Sequence, residues 1–221
     1  MPSLPVHNRR ADARRSRAAI LDAALQILDA QPDAGMETIA ATAGVTRQTV
    51  YAHFPSREQL LLAVVDRITE EVAAAIDATE PQTGPATDAL LRLLDASNQT
   101  AHRYLALLQR ISALPVSPQA DHDRHSPVAD RIRQVIERGR RTSEFDDRLP
   151  LGWLVAATVK LAHTASEEQQ AGRMSGQEAE HALRSSLLRM LGAASEEAAT
   201  EEDGSSRFGR FTGPAGAPPP C

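Results

Sequence analysis

Residues 36–60 constrain the fold of this chain more than any other segment, because they describe two short helices joined by a glycine turn. Apolar groups lie on one side of the first predicted helix, at Ile39, Ala40 and Ala43. Gly44 then permits the left-handed backbone conformation that a sharp turn requires. Beyond the turn, Val50 and Phe54 stand four residues apart and predict the buried side of a second helix.

Capping residues indicate where the helices begin. Thr46 is placed to cap the second helix through its side-chain oxygen, and Pro55 ends that helix. Ser56 is placed to cap a third helix, with Glu58 in its first turn, where an acidic side chain favours the positive end of the helix dipole. The spacing therefore predicts a helix-turn-helix, a motif whose second helix enters the major groove of DNA.

A family resemblance rests on the same segment. Residues 14–66 resemble the N-terminal domain of TetR-type (tetracycline-repressor-like) bacterial transcription regulators. The matching positions are Thr38, Ala40, Gly44, Val45, Thr46, Thr49, Tyr51, His53, Phe54, Arg57, Leu60 and Leu61. Many relatives carry lysine where Arg57 stands, so the positive charge is kept. The resemblance implies an all-α chain, with an N-terminal three-helix DNA-binding domain and a larger C-terminal helical domain for ligand binding and dimerisation.

The helical pattern divides the chain into four expected parts. These are a flexible basic arm at 1–13, the helix-turn-helix domain at 14–60, a helical effector-binding and dimerisation domain at 61–193, and a disordered tail at 194–221, acidic at first and then rich in glycine and proline. The predicted helices flanking the motif run from about 14 to 30 and from about 56 to 79, and the later ones cover 86–97, 99–113, 127–141, 150–171 and 175–193.

Composition favours a helical, cytoplasmic protein. Only 3% of the residues are aromatic and runs of β-branched residues are missing, so we expect no strands. The single cysteine, Cys221, excludes a disulfide or a cysteine-based zinc site within one chain. The N-terminus has no apolar core of signal-peptide length, and the longest apolar run, Leu60–Val65, is too short to span a bilayer. We therefore expect no contact with a membrane.

Charge is segregated along the chain. The net charge is −5, yet residues 1–17 hold five arginines against Asp12 alone, whereas residues 194–221 hold five acids against two arginines. The basic start is either a solvated, disordered segment or a contact to DNA phosphates and the minor groove. The neighbouring helix-turn-helix favours the DNA contact, and Arg14 and Arg15 are assigned to it.

Polar side chains crowd the remaining face of the second helix. We predict that Arg47 and Gln48 contact base edges, since arginine can bind guanine and glutamine can bind adenine in bidentate fashion. The residues predicted to contact phosphates and place the helix are Thr46, Thr49, Tyr51, His53 and Arg57. For Tyr51 and His53 the alternative is partial burial at the helix junction.

The last two predicted helices carry more apolar residues than one face packed against the rest of the subunit would require. Trp153, Leu154, Ala157 and Leu161 lie on the first, and leucines follow one another near the end of the second. The two helices either form only the core of one subunit or pair with the same two helices of a second subunit as a four-helix bundle, the dimer that the resemblance implies. Because one recognition helix reads too few base pairs to select a site, we expect a homodimer on a palindromic operator.

A ligand site is harder to place from the sequence. The candidates are large apolar side chains and side chains with a polar end group in the expected ligand domain. The alternative for each is a place in the hydrophobic core. They are Leu91, Leu94, His102, Tyr104, Leu108, Trp153 and His163. Asp121, His122, Asp123 and His125 resemble a metal-binding cluster, but they lie in a segment expected to be a solvated loop, so no metal or cofactor is assigned. The resemblance implies that an unknown small molecule moves the fourth helix and changes the separation of the two DNA-reading helices.

The expected function is a repressor of the resembled family that a ligand releases from DNA. The sequence has no glycine-rich phosphate loop, no GxSxG motif and no HExxH motif, so we do not expect an enzyme. Two alternatives stay open, an activator of the same family and a helical protein-interaction module without sequence-specific DNA binding. A steep salt dependence on palindromic DNA separates a regulator from the module.

Overall fold

The computed structural model describes residues 6–111 and 117–193, and within these ranges the backbone forms helices, turns and loops without a strand. The helices are α1 (Val6–Ala30), α2 (Met36–Thr42), α3 (Arg47–His53), α4 (Arg57–Asp77), α5 (Ala86–His102), α6 (Leu105–Ile111), α7 (Pro118–Arg141), α8 (Leu151–Gln170) and α9 (Gly176–Leu191). The expectation of an all-α fold is confirmed. None of these described helices is both long enough and apolar enough to cross a lipid bilayer.

The first three helices form a small unit that we call the head, residues 6–54. Helix α1 packs against α2, α3 and the first half of α4. Its buried residues include Ile20, Ala24 and Leu28, which meet Ile39 of α2 in the same apolar cluster. The apolar face of α1 therefore holds the head together.

The turn between α2 and α3 has the predicted geometry. Gly44 adopts a φ of +65°, and the amide of Val45 donates to the carbonyl of Ala40 at 3.0 Å. A Cβ placed on Gly44 would meet no atom within 4 Å, so the backbone conformation, and not space, favours glycine here.

Both predicted caps are present. The side chain of Thr46 accepts a hydrogen bond from the amide of Thr49 at 3.1 Å, and that of Ser56 accepts one from the amide of Gln59 at 3.1 Å. Each satisfies an amide that the first turn of a helix leaves unpaired. The caps therefore fix the residues at which α3 and α4 begin.

Helix α4 connects the head to the remaining helices. Its first half contacts α1, and the helix also packs against α5 and α7, which pack against each other. Its buried residues include Leu60, Val64, Ile68, Val72 and Ile76, which repeat along one side of the helix. Helix α8 packs on α7 and on α9. One continuous apolar cluster therefore runs from the head through α4 into the later helices.

Two expectations about local structure are wrong. Helix α1 begins at Val6, so residues 6–13 are helical where a flexible arm was expected; alanine and arginine are good helix formers, and Asp12 pairs with Arg15 one turn later. Residues 121–125 lie in α7 and not in a loop, because Ser117 caps that helix and Pro118 occupies its first turn. The expected tail, with Cys221, lies outside the described residues.

Candidate nucleic-acid interface and ligand cavity

Helix α3 is seated on the head by one apolar side. Val50 and Phe54 are buried, and the guanidinium carbon of Arg17 on α1 lies 5.3 Å from the centroid of the Phe54 ring. The opposite side is open, with Arg47, Gln48 and Tyr51 exposed. The buried contacts set the rotation of α3, so that its polar residues face solvent as a row.

Arg47 and Tyr51 stand one helical turn apart and interact. The guanidinium carbon of Arg47 lies 5.4 Å from the centroid of the Tyr51 ring. A hydrogen bond from Arg47 to the Tyr51 side chain, together with their Coulomb attraction, raises the pKa of Arg47 above its ordinary value. Tyr51 thereby restricts where an otherwise mobile, fully charged side chain can point.

The other polar residues of the row are partly engaged within the helix. The hydroxyl oxygens of Thr46 and Thr49 lie 2.8 Å apart. His53 is half-buried, with its ring centroid 6.3 Å from that of Phe54, whereas Tyr51 is 38% exposed. Partial burial at the helix junction therefore describes His53, and Tyr51 stays available to a partner.

Arg57 has a position that the sequence did not reveal. Its guanidinium donates to the carbonyl of Pro32 at 2.7 Å and also to the carbonyl of Ala34. Both acceptors belong to the loop between α1 and α2, so the side chain joins that loop to the start of α4. Two of its nitrogens are directed at the protein and hold the loop between α1 and α2, and the phosphate contact of Arg57 stays a prediction.

The basic residues of α1 are exposed. Arg14 and Arg15 lie on its solvent side, and Arg15 forms an ion pair with Asp12. Arg17 is turned toward Phe54, as described above. These basic residues therefore belong to α1, a helix of the head, and not to a separate arm.

A cavity of about 790 Å³ lies among α4 to α9. Of the seven ligand-site residues predicted from the sequence, Leu94, Leu108 and His163 line it, and the other four do not. Leu91 packs against the core, His102 is exposed at the end of α5, and Tyr104 donates a hydrogen bond to Glu71 at 2.7 Å, which raises the pKa of Tyr104. Trp153 is 64% exposed on α8.

Charged groups line one side of this cavity. The Nη2 atom of Arg184 lies 2.6 Å from a carboxylate oxygen of Asp95 and 2.7 Å from one of Glu180. Arg124 also lines the cavity and is paired with Asp66 at 2.8 Å. These pairs were not foreseen, because Asp95 and Arg184 are 89 residues apart and only the packing of α9 on the bundle joins them.

An aromatic contact links α7 and α8 at the cavity. The ring centroids of His125 and His163 are 4.8 Å apart, in an edge-to-face arrangement. His125 belongs to the cluster whose metal-like spacing we noted, and the described side chains contain no group of three or more histidine, cysteine or acidic residues able to hold a metal ion. The histidine is instead part of the cavity wall.

The head matches a known family. The model of "Bacterial regulatory proteins, tetR family" matches residues 20–64. The transcriptional repressor LfrR of Mycolicibacterium smegmatis is 42% identical over 82 residues, which are 37% of this chain and 43% of LfrR. The chain thus spans less than half of the length of this relative.

Two further comparisons reach beyond the head. The transcriptional regulator SrpR of Pseudomonas putida is 30% identical over 146 residues, which are 64% of this chain and 67% of SrpR. The crystal structure of the TetR-like regulator LfrR in complex with proflavine superposes with a TM-score of 0.54 at 28% identity, covering 78% of this chain and 95% of that one. The matched proteins are regulators of transcription and not enzymes. From the match at the head and the likeness to SrpR, the chain belongs to the TetR family of bacterial regulatory proteins.

Proposed function

We propose that this chain is a ligand-responsive transcriptional repressor that binds a palindromic DNA operator as a homodimer. The observation that carries the proposal is the exposed row of Arg47, Gln48 and Tyr51 on α3, held in place by the buried Val50 and Phe54 on its other side. A recognition helix needs such a row, because base edges in the major groove offer hydrogen-bond donors and acceptors. The name of LfrR as a repressor supports the direction of regulation.

Arg47 and Gln48 read bases in this proposal, and the rest of the head places them. Thr46, Thr49 and Tyr51 are proposed to contact phosphates, and Arg14 and Arg15 add sequence-independent attraction from α1. The net charge of the chain is −5, so this local positive charge is what allows the head to approach DNA.

Dimerisation is proposed to use α8 and α9. These helices pack on each other, and two apolar side chains are exposed nearby, Trp153 in the first turn of α8 at 64% and Leu149 just before α8 at 38%. A large aromatic side chain exposed beside further apolar groups is typical of an interface core that a partner covers. Two heads held about 34–36 Å apart would read successive turns of the major groove.

Ligand control is proposed to act through the helices that the cavity and the head share. Val65, Ile68 and Val72 of α4 and Leu108 of α6 line the cavity. The same two helices hold the head, α4 through Arg57 and α6 through an ion pair between Arg110 and Asp33. A ligand that separates α4 from α6 would therefore move the head and change the spacing of the two reading helices.

The test of DNA binding begins with selection of bound fragments from genomic DNA by the purified full chain. Fluorescence anisotropy then compares the selected duplex with random DNA at several salt concentrations. We expect a salt-dependent affinity and a preference for the selected site. A protein-interaction module would show neither, and that result would refute the proposal.

Substitution of Arg47 tests whether α3 reads bases. Arg47→Ala should cost roughly 1–3 kcal/mol of binding free energy on the selected site and relax the preference at one base position. Arg141→Ala, which removes an exposed arginine at the end of α7, is the matched control and should leave that preference unchanged. Equal losses for Arg47→Ala on specific and random DNA would contradict base reading by Arg47.

A further inference from the structure

We propose that the cavity among α4 to α9 takes an apolar organic cation. The inference rests on the effector role of the cavity under the proposed function, and it names the chemical class of the ligand. At about 790 Å³ the cavity has the size of sites that enclose a drug-sized molecule. Two features of its wall point to the ligand class, a long apolar side and an excess of negative charge.

The apolar side is built from α4 and α7. Its residues include Val65, Ile68, Val72, Val128 and Ile132. Two hydroxyls of the wall are already used within their own helices, since Thr69 donates to the carbonyl of Val65 at 3.0 Å and Thr158 to that of Leu154 at 2.8 Å. A ligand lying here gains by removing apolar surface from water, so its body should be apolar.

The negative excess lies where α5 and α9 meet. Asp95 and Glu180 share the single guanidinium of Arg184, at 2.6 and 2.7 Å, so one of their two charges is left in excess. Both carboxylates are accessible, with side chains 40% and 50% exposed. The Nε atom of Arg184 is buried and has no hydrogen-bond partner within the protein, so it is closed to a ligand in the cavity.

The remaining charges of the wall do not cancel that excess. Arg124 is held by Asp66 at 2.8 Å, and its side chain is only 11% exposed. Glu167 adds a third carboxylate from α8, and the nearby Arg173 is already bound by Glu168 at 2.7 Å. A partly enclosed apolar space screens charge less than water does, so this imbalance favours a cationic ligand over an anionic one.

The rings of His125 and His163 give the wall an aromatic surface. Their centroids lie 4.8 Å apart on α7 and α8, and both residues line the cavity. Aromatic groups of a ligand can pack against such rings edge to face. The structure therefore favours a cation that carries aryl groups or a flat ring system.

A pair of ions with opposite charge tests this ligand class directly. Tetraphenylphosphonium and tetraphenylborate have nearly the same shape and size, so a difference in affinity reports the charge preference of the site. Isothermal titration calorimetry with the full chain, without DNA, should show the cation binding at least about tenfold more tightly than the anion. This comparison needs no variant, and therefore does not depend on any substitution being tolerated.

Substitutions locate the preference at the Arg184 cluster. The double variant Asp95→Asn with Glu180→Gln leaves the guanidinium of Arg184 without a carboxylate, so the preference should invert toward tetraphenylborate. Asp130→Asn removes an exposed carboxylate of α7 that does not line the cavity, and should leave both affinities unchanged. Circular dichroism and thermal melting establish that each variant is folded.

The outcomes separate this inference from the proposed function. If the wild-type chain binds tetraphenylborate as tightly as the cation, or binds neither ion, the cation site is overturned, whether or not the chain binds DNA. A folded double variant that keeps the wild-type preference also overturns it. A chain that prefers the cation but binds no DNA retains the site and loses the role of regulator.

Discussion

Arg110 of α6 forms an ion pair with Asp33 in the loop between α1 and α2, and this contact joins a cavity-lining helix to the head. Arg57 holds the same loop from α4. The loop is therefore attached to two helices that both line the cavity. An ion pair with side chains 54% and 88% exposed contributes only about 0.2–1 kcal/mol, which suits a contact that is made and broken.

The first prediction concerns this ion pair. Arg110→Gln and Asp33→Asn should each raise amide hydrogen exchange in the loop 31–35 and in α2, by up to about fivefold, since either change removes the same contact. The double variant should exchange no faster than the single ones, because their effects are not independent. Hydrogen exchange followed by mass spectrometry checks this, and additive effects would mean that the two residues act separately.

The second prediction concerns Arg57. Arg57→Lys should lower the free energy of unfolding by roughly 1–3 kcal/mol, because lysine cannot supply the two separate donors that the carbonyls of Pro32 and Ala34 accept. DNA affinity should fall on specific and random duplexes alike, with an unchanged salt dependence. Arg57→Gln removes the charge and tests for a phosphate contact, because such a contact would make this variant reduce the slope of log affinity against log salt by about 0.9.

The contrast between Arg57 and Thr46 shows what the sequence could predict. The cap at Thr46 and the turn at Gly44 depend on neighbours within a few residues, so spacing alone was enough to place them. Arg57 reaches acceptors 23 and 25 residues away, and no local pattern encodes that contact.

The ligand site was predicted less well for the same reason. A cavity is a space left between packed helices, and Asp95 meets Arg184 only once α5 and α9 are assembled. A prediction from side-chain type alone therefore included Leu94, Leu108 and His163, which line the cavity. It also included Trp153, which is exposed on α8. The sequence predicted this helix to begin at 127, whereas α7 begins at Pro118 and continues through Pro127, a residue type that usually interrupts a helix.

The third prediction concerns the proposed dimer. Trp153→Glu should shift the full chain toward monomer in sedimentation-velocity experiments, because a charge would replace the most exposed large apolar side chain of α8. Specific DNA affinity should fall with it, since one head alone reads too few base pairs. Tyr51→Glu, which changes an exposed aromatic residue of the head in the same way, should leave the oligomeric state unchanged. A variant at Trp153 that remains dimeric would place the interface elsewhere.

The fourth prediction concerns pH. A hydrogen bond from Arg131 lowers the pKa of Asp77, with Coulomb attraction adding to this and partial burial opposing it. A carboxyl group whose pKa is lower in the folded state stabilises the fold above its unfolded pKa, and this contribution is lost as the pH falls through the folded pKa. Since the Asp77 side chain is 55% exposed, the contribution should be only about 0.2–1 kcal/mol.

Urea unfolding at several pH values measures this contribution. The difference in unfolding free energy between wild type and Asp77→Asn should be constant between about pH 6 and 8 and should shrink below about pH 4. Asp29→Asn removes an exposed carboxylate near the end of α1 and controls for the loss of surface charge. A difference that grew on acidification would mean that the Arg131 contact does not favour ionised Asp77.

The fifth prediction concerns a close approach between Gly139 of α7 and Phe145, which lies in the turn before α8. A Cβ on Gly139 would stand 2.2 to 2.8 Å from three atoms of the Phe145 ring, and the amide of Phe145 donates to the Gly139 carbonyl at 3.1 Å. The ring is buried and tied to that backbone, so it cannot move aside freely. Gly139→Ala should therefore destabilise the chain by about 1–3 kcal/mol, although alanine favours helices.

A second glycine provides the matched control. Gly152 is also helical, and a Cβ there would meet no atom within 4 Å, so Gly152→Ala should be neutral or stabilise by up to about 1 kcal/mol. Thermal and urea unfolding then give the change in unfolding free energy for the same added methyl group at a site that Phe145 occupies and at a site with free space. The further variant Gly139→Ala with Phe145→Leu should recover part of the loss, because leucine lacks the ring atoms that the new methyl group meets. If Gly139→Ala were as stable as Gly152→Ala, then Phe145 would have room to leave α7, and the turn before α8 would not be held by this contact.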